Sequence, residues 1–203
     1  MNSLPRLASG VKRPRLWRHN LLMLTVSKNR PAGVLSGIHV VVMGVAGCGK
    51  SAVGHLMGQQ LGLPLVEGDD FHPVSNIQKM QQGIALTDED RADWLQTLGV
   101  ELARHPAGVV MTCSALKKTY RNSLRQATAG LHFVHLAITE TESLRRVGQR
   151  PGHFYPPSLV ASQFAALEDP AGEADVLTLA GDATLERLAQ RAVAWLKNST
   201  MRN

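Results

Sequence analysis

The chain has 203 residues, enough for one well-cored domain and too few for two. Hydrophobic residues make up 44% and charged ones 19%, the balance of a soluble globular protein, and no run of about 18 apolar residues could span a bilayer. Cys48 and Cys113 are the only cysteines, too few for a secreted disulfide framework, so a reducing compartment, the cytoplasm, is expected.

The formal net charge of +6 is unevenly placed. Residues 1–36 carry seven basic side chains and no acid; without them 15 basic residues face 16 acidic ones. The basic character belongs to this segment, which is read as an extension outside the fold, with residues 37–203 forming one domain. An organelle-targeting peptide and a nucleic-acid-binding arm are its functional alternatives. Neither is built upon, and neither nucleic acid nor membrane is expected as a partner.

From Gly37 onward, short apolar runs alternate with amphipathic ones. IHVVVM (38–43) reads as a buried strand, and SAVGHLMGQQL after it has helical spacing. PLVEGD gives a second strand and VSNIQKMQQ a short helix. DEDRADWLQTLGVELARH gives a longer helix, with Asp88 placed at its N-cap and acids in its first turn. GVVMTCS, HFVHLAI and ADVLTLA read as the third, fourth and fifth strands. Helices are expected over KKTYRNSLRQAT, TETESLRRVGQ, SLVASQFAALE and TLERLAQRAVAWLK, with a break at Arg150-Pro151-Gly152. Strands separated by helices require parallel crossovers, hence an α/β sheet covered on both faces with ligands at the carboxyl ends of its strands.

Between the first strand and its helix stands Gly44-Val45-Ala46-Gly47-Cys48-Gly49-Lys50-Ser51, the pattern G-x-x-x-x-G-K-[ST] in the context that a P-loop requires. Its glycines allow backbone N–H groups to face phosphate oxygens; Lys50 should reach the β and γ phosphates and Ser51 should ligate Mg²⁺. The third strand ends in Thr112, Cys113 and Ser114 with no acid for Mg²⁺, and no N-K-x-D guanine-reading motif occurs. Both observations argue against motor ATPases and GTPase switches and leave a small-molecule kinase.

Such a kinase needs a carboxylate at the acceptor hydroxyl and cations around the transferring group. EGDD, at the end of the second strand, supplies Glu67, Asp69 and Asp70 on the same sheet edge as the P-loop. Asp69 is assigned as catalytic base and acceptor-binding group; Glu67, acting through water, and Asp70 are candidates for the metal's shell or for the acceptor. His72 reads on its own as a turn or hydrogen-bonding residue. Arg146 and Arg150 are candidate phosphate or base contacts, with Arg150 in a loop that could close over the nucleotide. Arg145 reads as a solvated helix residue.

GVAGCGKS, GDDFHP with NIQKM, CSALKKTYR, and RPGHF with SQFAALEDP together resemble gluconokinase, a P-loop kinase family related to the shikimate and nucleoside monophosphate kinases. The resemblance covers about Ile38 to Lys197. It implies a five-stranded parallel sheet with helices on both faces and a mobile lid. It further implies ATP- and Mg²⁺-dependent phosphorylation of D-gluconate at its terminal hydroxyl to 6-phosphogluconate, feeding carbohydrate acid catabolism, often in a homodimer. Carried onto this chain, Lys50, Asp69 and Arg150 become the catalytic residues and Asp69, His72, Lys79 and Arg91 the acceptor site. Arg91 could bind the gluconate carboxylate bidentately or pair with neighbouring helix acids. Lys117, Lys118 and Arg121 are a further candidate cationic wall, of which Lys118 and Arg121 could equally be solvated.

Two departures stand out: Cys48 occupies a position usually held by a small residue, and the basic extension is additional. If the strands before them are neighbours, Cys48 and Cys113 both lie at the carboxyl edge, where an oxidative bond could block ATP; a reducing cytoplasm argues against it. Two other readings remain beside the sugar-acid kinase, namely a kinase for another small acid or polyol such as shikimate, and a nucleotide-binding regulator without turnover.

Overall fold

The computed structural model describes residues 37–149 and 155–200. The basic segment, Arg150 and the loop around it lie outside the described residues.

Five strands form one parallel sheet in the order β2-β3-β1-β4-β5: β1 (Ile38–Met43), β2 (Leu65–Glu67), β3 (Gly108–Thr112), β4 (His132–Ala137) and β5 (Val176–Ala180). The central strand is buried on both faces, which explains its unbroken apolar sequence. Val40 and Val42 join a core beneath α1 (Lys50–Leu61) and α7 (Leu185–Thr200). Val41 and Met43 point to the other face and pack with Trp94 and Leu98 of α3 (Asp88–Ala103) and Leu124 of α4 (Lys118–Ala127). The period-two alternation of a strand thus feeds two hydrophobic layers.

Chain order sets the location of the cleft. From β1 the chain passes through α1 to the edge strand β2 and returns through α2 (Val74–Gln81) and α3 to β3. From there α4 leads to β4 on the opposite side of β1. The strand order therefore reverses beside β1, and loops leaving the carboxyl ends of β1 and β3 diverge there. Two further helices, α5 (Glu140–Gly148) and α6 (Val160–Ala166), follow β4 and flank the cleft.

Two local expectations are corrected. Helix α3 is capped by Thr87 rather than Asp88: Thr87 Oγ1 accepts from Asp90 N at 3.2 Å while Asp90 Oδ2 accepts from Thr87 N at 3.0 Å. This reciprocal capping box leaves Asp88, now inside the helix, free to bind Lys117 Nζ at 2.7 Å and the Tyr120 hydroxyl. The second strand stops at Glu67, and Gly68–Phe71 coil into a 3-10 turn. Gly68 is required there, because a Cβ would lie 2.2 Å from the carbonyl oxygen of Thr112.

Candidate active site

The P-loop follows β1 directly. Gly47 and Gly49 take positive φ, 76° and 99°, which turns the loop back over the start of α1. Gly49 caps that helix without a side-chain hydrogen bond, so the first-turn amides remain available to an anion. Lys50 curls over the loop, with Nζ donating to the carbonyls of Gly44 and Val45, both at 3.1 Å.

A cleft of about 790 Å³ opens above the loop. Lys50, Ser51, Glu67, Asp69, Asp70, His72 and Arg91 all line it, so one cavity joins the P-loop to the β2 carboxylates, 16 to 20 residues away in sequence, and to α3. Glu67 is opposite Thr112 in the β2–β3 register, and its Oε2 accepts from Thr112 Oγ1 at 2.5 Å and from Ser51 Oγ at 3.1 Å. A hydroxyl and a carboxylate are therefore held together at the end of the sheet, hard oxygen donors suited to Mg²⁺ and its waters. Among the described residues no cluster of three or more His, Cys, Asp or Glu could hold a metal ion.

The wall of the cleft opposite the P-loop is built on the 3-10 turn. Trp94 Nε1 donates to Gly68 O at 2.8 Å, and His72 stacks on the Trp94 ring with centroids 4.1 Å apart. The His72 side chain is 6% exposed and its Nδ1 has no partner. Burial pushes its pKa down, a push that Asp69 opposes and Arg91 reinforces, so the ring stays neutral near pH 7. Asp69 is half-exposed, its Oδ1 4.0 Å from His72 Nε2, beyond hydrogen-bond reach. Arg91 Nη1 is held by the carbonyls of Leu86 and Thr87, the latter at 3.1 Å, while no described protein group takes its Nε or Nη2. That leaves one guanidinium edge open to a ligand.

Other expected residues are elsewhere. Lys79 pairs with Asp90 at 2.6 Å, tying α2 to the capping box, and Lys117 pairs with Asp88; neither lines the cleft. Arg121 corrects the expected cationic wall, because it is fully buried on the inner face of α4. It donates to the carbonyls of Ala115 and Leu116 at 2.9 and 2.8 Å and pairs with Glu173 at 2.5 Å. Lys118 is exposed at a second, shallower cavity beside it. Arg145 is exposed and paired with Glu142. Arg146 lines the main cleft, its Nε on Glu142 at 2.6 Å and its Nη2 on Gly181 O at 3.2 Å. Both cysteines are buried and free although β1 and β3 are neighbours, and burial pushes the Cys113 thiol up to about 12.

Several lining residues had no chemistry assigned from sequence: Trp94, Ser114, Tyr155 and Gln163. Gln163 lies in the SQFAALEDP stretch, but a glutamine on a helix gives no signal until the helix is placed beside the P-loop.

No family model matches the chain. The chain is 42% identical over 156 residues to the gluconokinase of Gluconobacter oxydans, covering 73% of this chain and 88% of that protein. The crystal structure of a gluconokinase from Sinorhizobium meliloti superposes with a TM-score of 0.75 at 42% identity, covering 82% of this chain and 95% of that one. Shikimate kinase from Aquifex aeolicus is 15% identical with a TM-score of 0.53, covering 82% of this chain and 100% of that one, a likeness of fold alone. The chain belongs to the gluconokinase family, on the five-stranded parallel sheet of the P-loop kinases.

Proposed function

We propose that the protein is a gluconokinase, transferring the γ-phosphoryl group of ATP to the terminal hydroxyl of D-gluconate to give 6-phospho-D-gluconate and ADP. The observation that carries this reading is the joining, in one cleft, of Lys50 and Ser51 of the P-loop to Asp69 and to the open guanidinium edge of Arg91. Family membership supports the same assignment.

Lys50 leaves the loop carbonyls to neutralise charge on the transferring phosphoryl group. Asp69 orients the acceptor hydroxyl and takes its proton as the acceptor oxygen bonds to phosphorus and the bridging oxygen leaves with ADP. Arg91 binds the gluconate carboxylate through its free edge, and neutral His72, fixed on Trp94, offers a nitrogen to an acceptor hydroxyl. Ser51 and, through water, Glu67 would hold Mg²⁺, which would supply positive charge to neutralise the phosphates. Arg146, between Gly181 and the P-loop, contacts the nucleotide. A cytoplasmic homodimer completes the proposal. Among the described residues no helix is long and apolar enough to cross a membrane.

The test is ADP release from ATP and Mg²⁺ with D-gluconate, against a panel of other sugar acids, polyols and shikimate. Stimulation by D-gluconate above all others is expected. Stimulation by another acid alone would overturn the acceptor assignment, and ATP binding with no stimulation by any would overturn turnover itself.

A further inference from the structure

The backbone of Ala46, the third residue of the P-loop, is held from two helices that follow β4. Ser143 Oγ of α5, fully buried, donates to Ala46 O at 2.8 Å. Gln163 Oε1 of α6 accepts from Ala46 N at 2.6 Å. Because a backbone N–H can only meet an acceptor, this bond settles which end of the carboxamide is oxygen. The nitrogen end, Nε2, is therefore turned away from Ala46, and no described protein group accepts from it. Gln163 lines the main cleft together with Gly47, Lys50 and Asp69. A half-buried neutral donor with two free N–H groups, locked in orientation by the loop that cradles phosphate, matches the needs of an anionic oxygen beside Ala46.

We propose that Gln163 is a catalytic residue whose Nε2 donates to a non-bridging oxygen of the γ-phosphoryl group, while its Oε1 stays on Ala46. This rests on phosphoryl transfer at this cleft and adds a neutral donor to the cation of Lys50. As the acceptor oxygen bonds to phosphorus and the electron pair of the breaking bond passes to ADP, the three non-bridging oxygens retain charge that a fixed donor stabilises without reorganising. The donor recognises the group present in ATP and missing from ADP, so it also discriminates between the two nucleotides.

Gln163→Glu separates this role from that of a strut. The carboxylate keeps an acceptor for Ala46 N but loses the donor and places negative charge toward the phosphoryl group. In the full-length protein, Gln163→Glu is expected to lower kcat about 100-fold or more. It should leave the melting temperature and ADP affinity near wild type, and weaken binding of a non-hydrolysable ATP analogue about tenfold or more. Gln163→Met, which lacks both functions, should also lose the preference for the analogue over ADP, providing the same readout should the glutamate variant fold poorly. Binding is measured without any acceptor, so the result stands whichever acid the enzyme uses. A Gln163→Glu enzyme with turnover within about threefold of wild type, or variants that lose analogue and ADP affinity equally, would overturn the proposal in favour of a strut.

Discussion

Thr112 donates its hydroxyl to Glu67 at 2.5 Å across the β2–β3 register, and so places a carboxylate from the edge strand where β3 itself ends without an acid. Ser51 shares the same Glu67 oxygen. Glu67→Gln should keep the fold, because an amide oxygen still accepts from both hydroxyls. It should raise the Mg²⁺ concentration for half-maximal activity about 10- to 100-fold, read from a Mg²⁺ titration at saturating ATP. An unchanged titration would remove Glu67 from the metal's shell.

Asp69→Asn removes the proposed base while keeping size and polarity. Turnover should fall about 10²- to 10⁴-fold with ADP affinity unchanged, measured by steady-state kinetics and calorimetry. Lys50→Ala should abolish transfer with the melting temperature maintained. Near-normal turnover in the Asp69 variant would exclude it as the base.

Arg91→Ala removes the open guanidinium edge. The KM for gluconate should rise about 10- to 100-fold, as expected for a lost bidentate charged contact, with the KM for ATP little changed. A loss confined to ATP would refute carboxylate binding at this position.

Arg121→Met tests the buried clasp. The carbonyls of Ala115 and Leu116 would lose their Arg121 donor, and Glu173, whose side chain is 11% exposed, would keep only Arg125, at 2.9 Å. Two buried carbonyls left without a donor cost about 1–3 kcal/mol each, so chemical denaturation should register a clear loss of stability. Substrate KM values should hold under conditions where the protein remains folded. A raised gluconate KM without loss of stability would return Arg121 to the acceptor site.

His72 predicts an acid sensitivity. Its folded pKa lies below the ordinary 6.5, so between that value and 6.5 the unfolded chain binds more protons than the folded one. Stability therefore rises with pH through this window and is lost as pH falls through it. His135, within β4, is also lowered by burial and acts in the same direction, with Asp169 opposing and Arg121 reinforcing the shift. Thermal melts from pH 7.5 to 5 should show a steeper decline for wild type than for His72→Gln. Identical slopes would exclude the His72 contribution.

The P-loop was legible because its chemistry is local: glycines, Lys50 and Ser51 lie within eight consecutive residues between a strand and a helix. Asp69 and Arg91, which line the cleft, could be singled out because both lie in recognisable blocks. Lys79, Lys117 and Arg121 were not separable from site residues by sequence, since a basic side chain reads the same whether it faces a ligand or an acid. Only the placement of Asp90, Asp88 and Glu173 beside them distinguishes the two.

By itself the sequence determined the alternation of strands and helices, the parallel sheet and the phosphate loop, since these follow from periodicity and from residues adjacent in the chain. Tertiary structure alone decided that Thr112 and Ser51 converge on Glu67, that Trp94 holds the 3-10 turn after β2, that Arg121 is buried, and that Gln163 reaches Ala46 from 117 residues away. The reason is physical. Periodicity reports which face of an element is buried, whereas a hydrogen bond between distant residues depends on the order and register in which those elements pack.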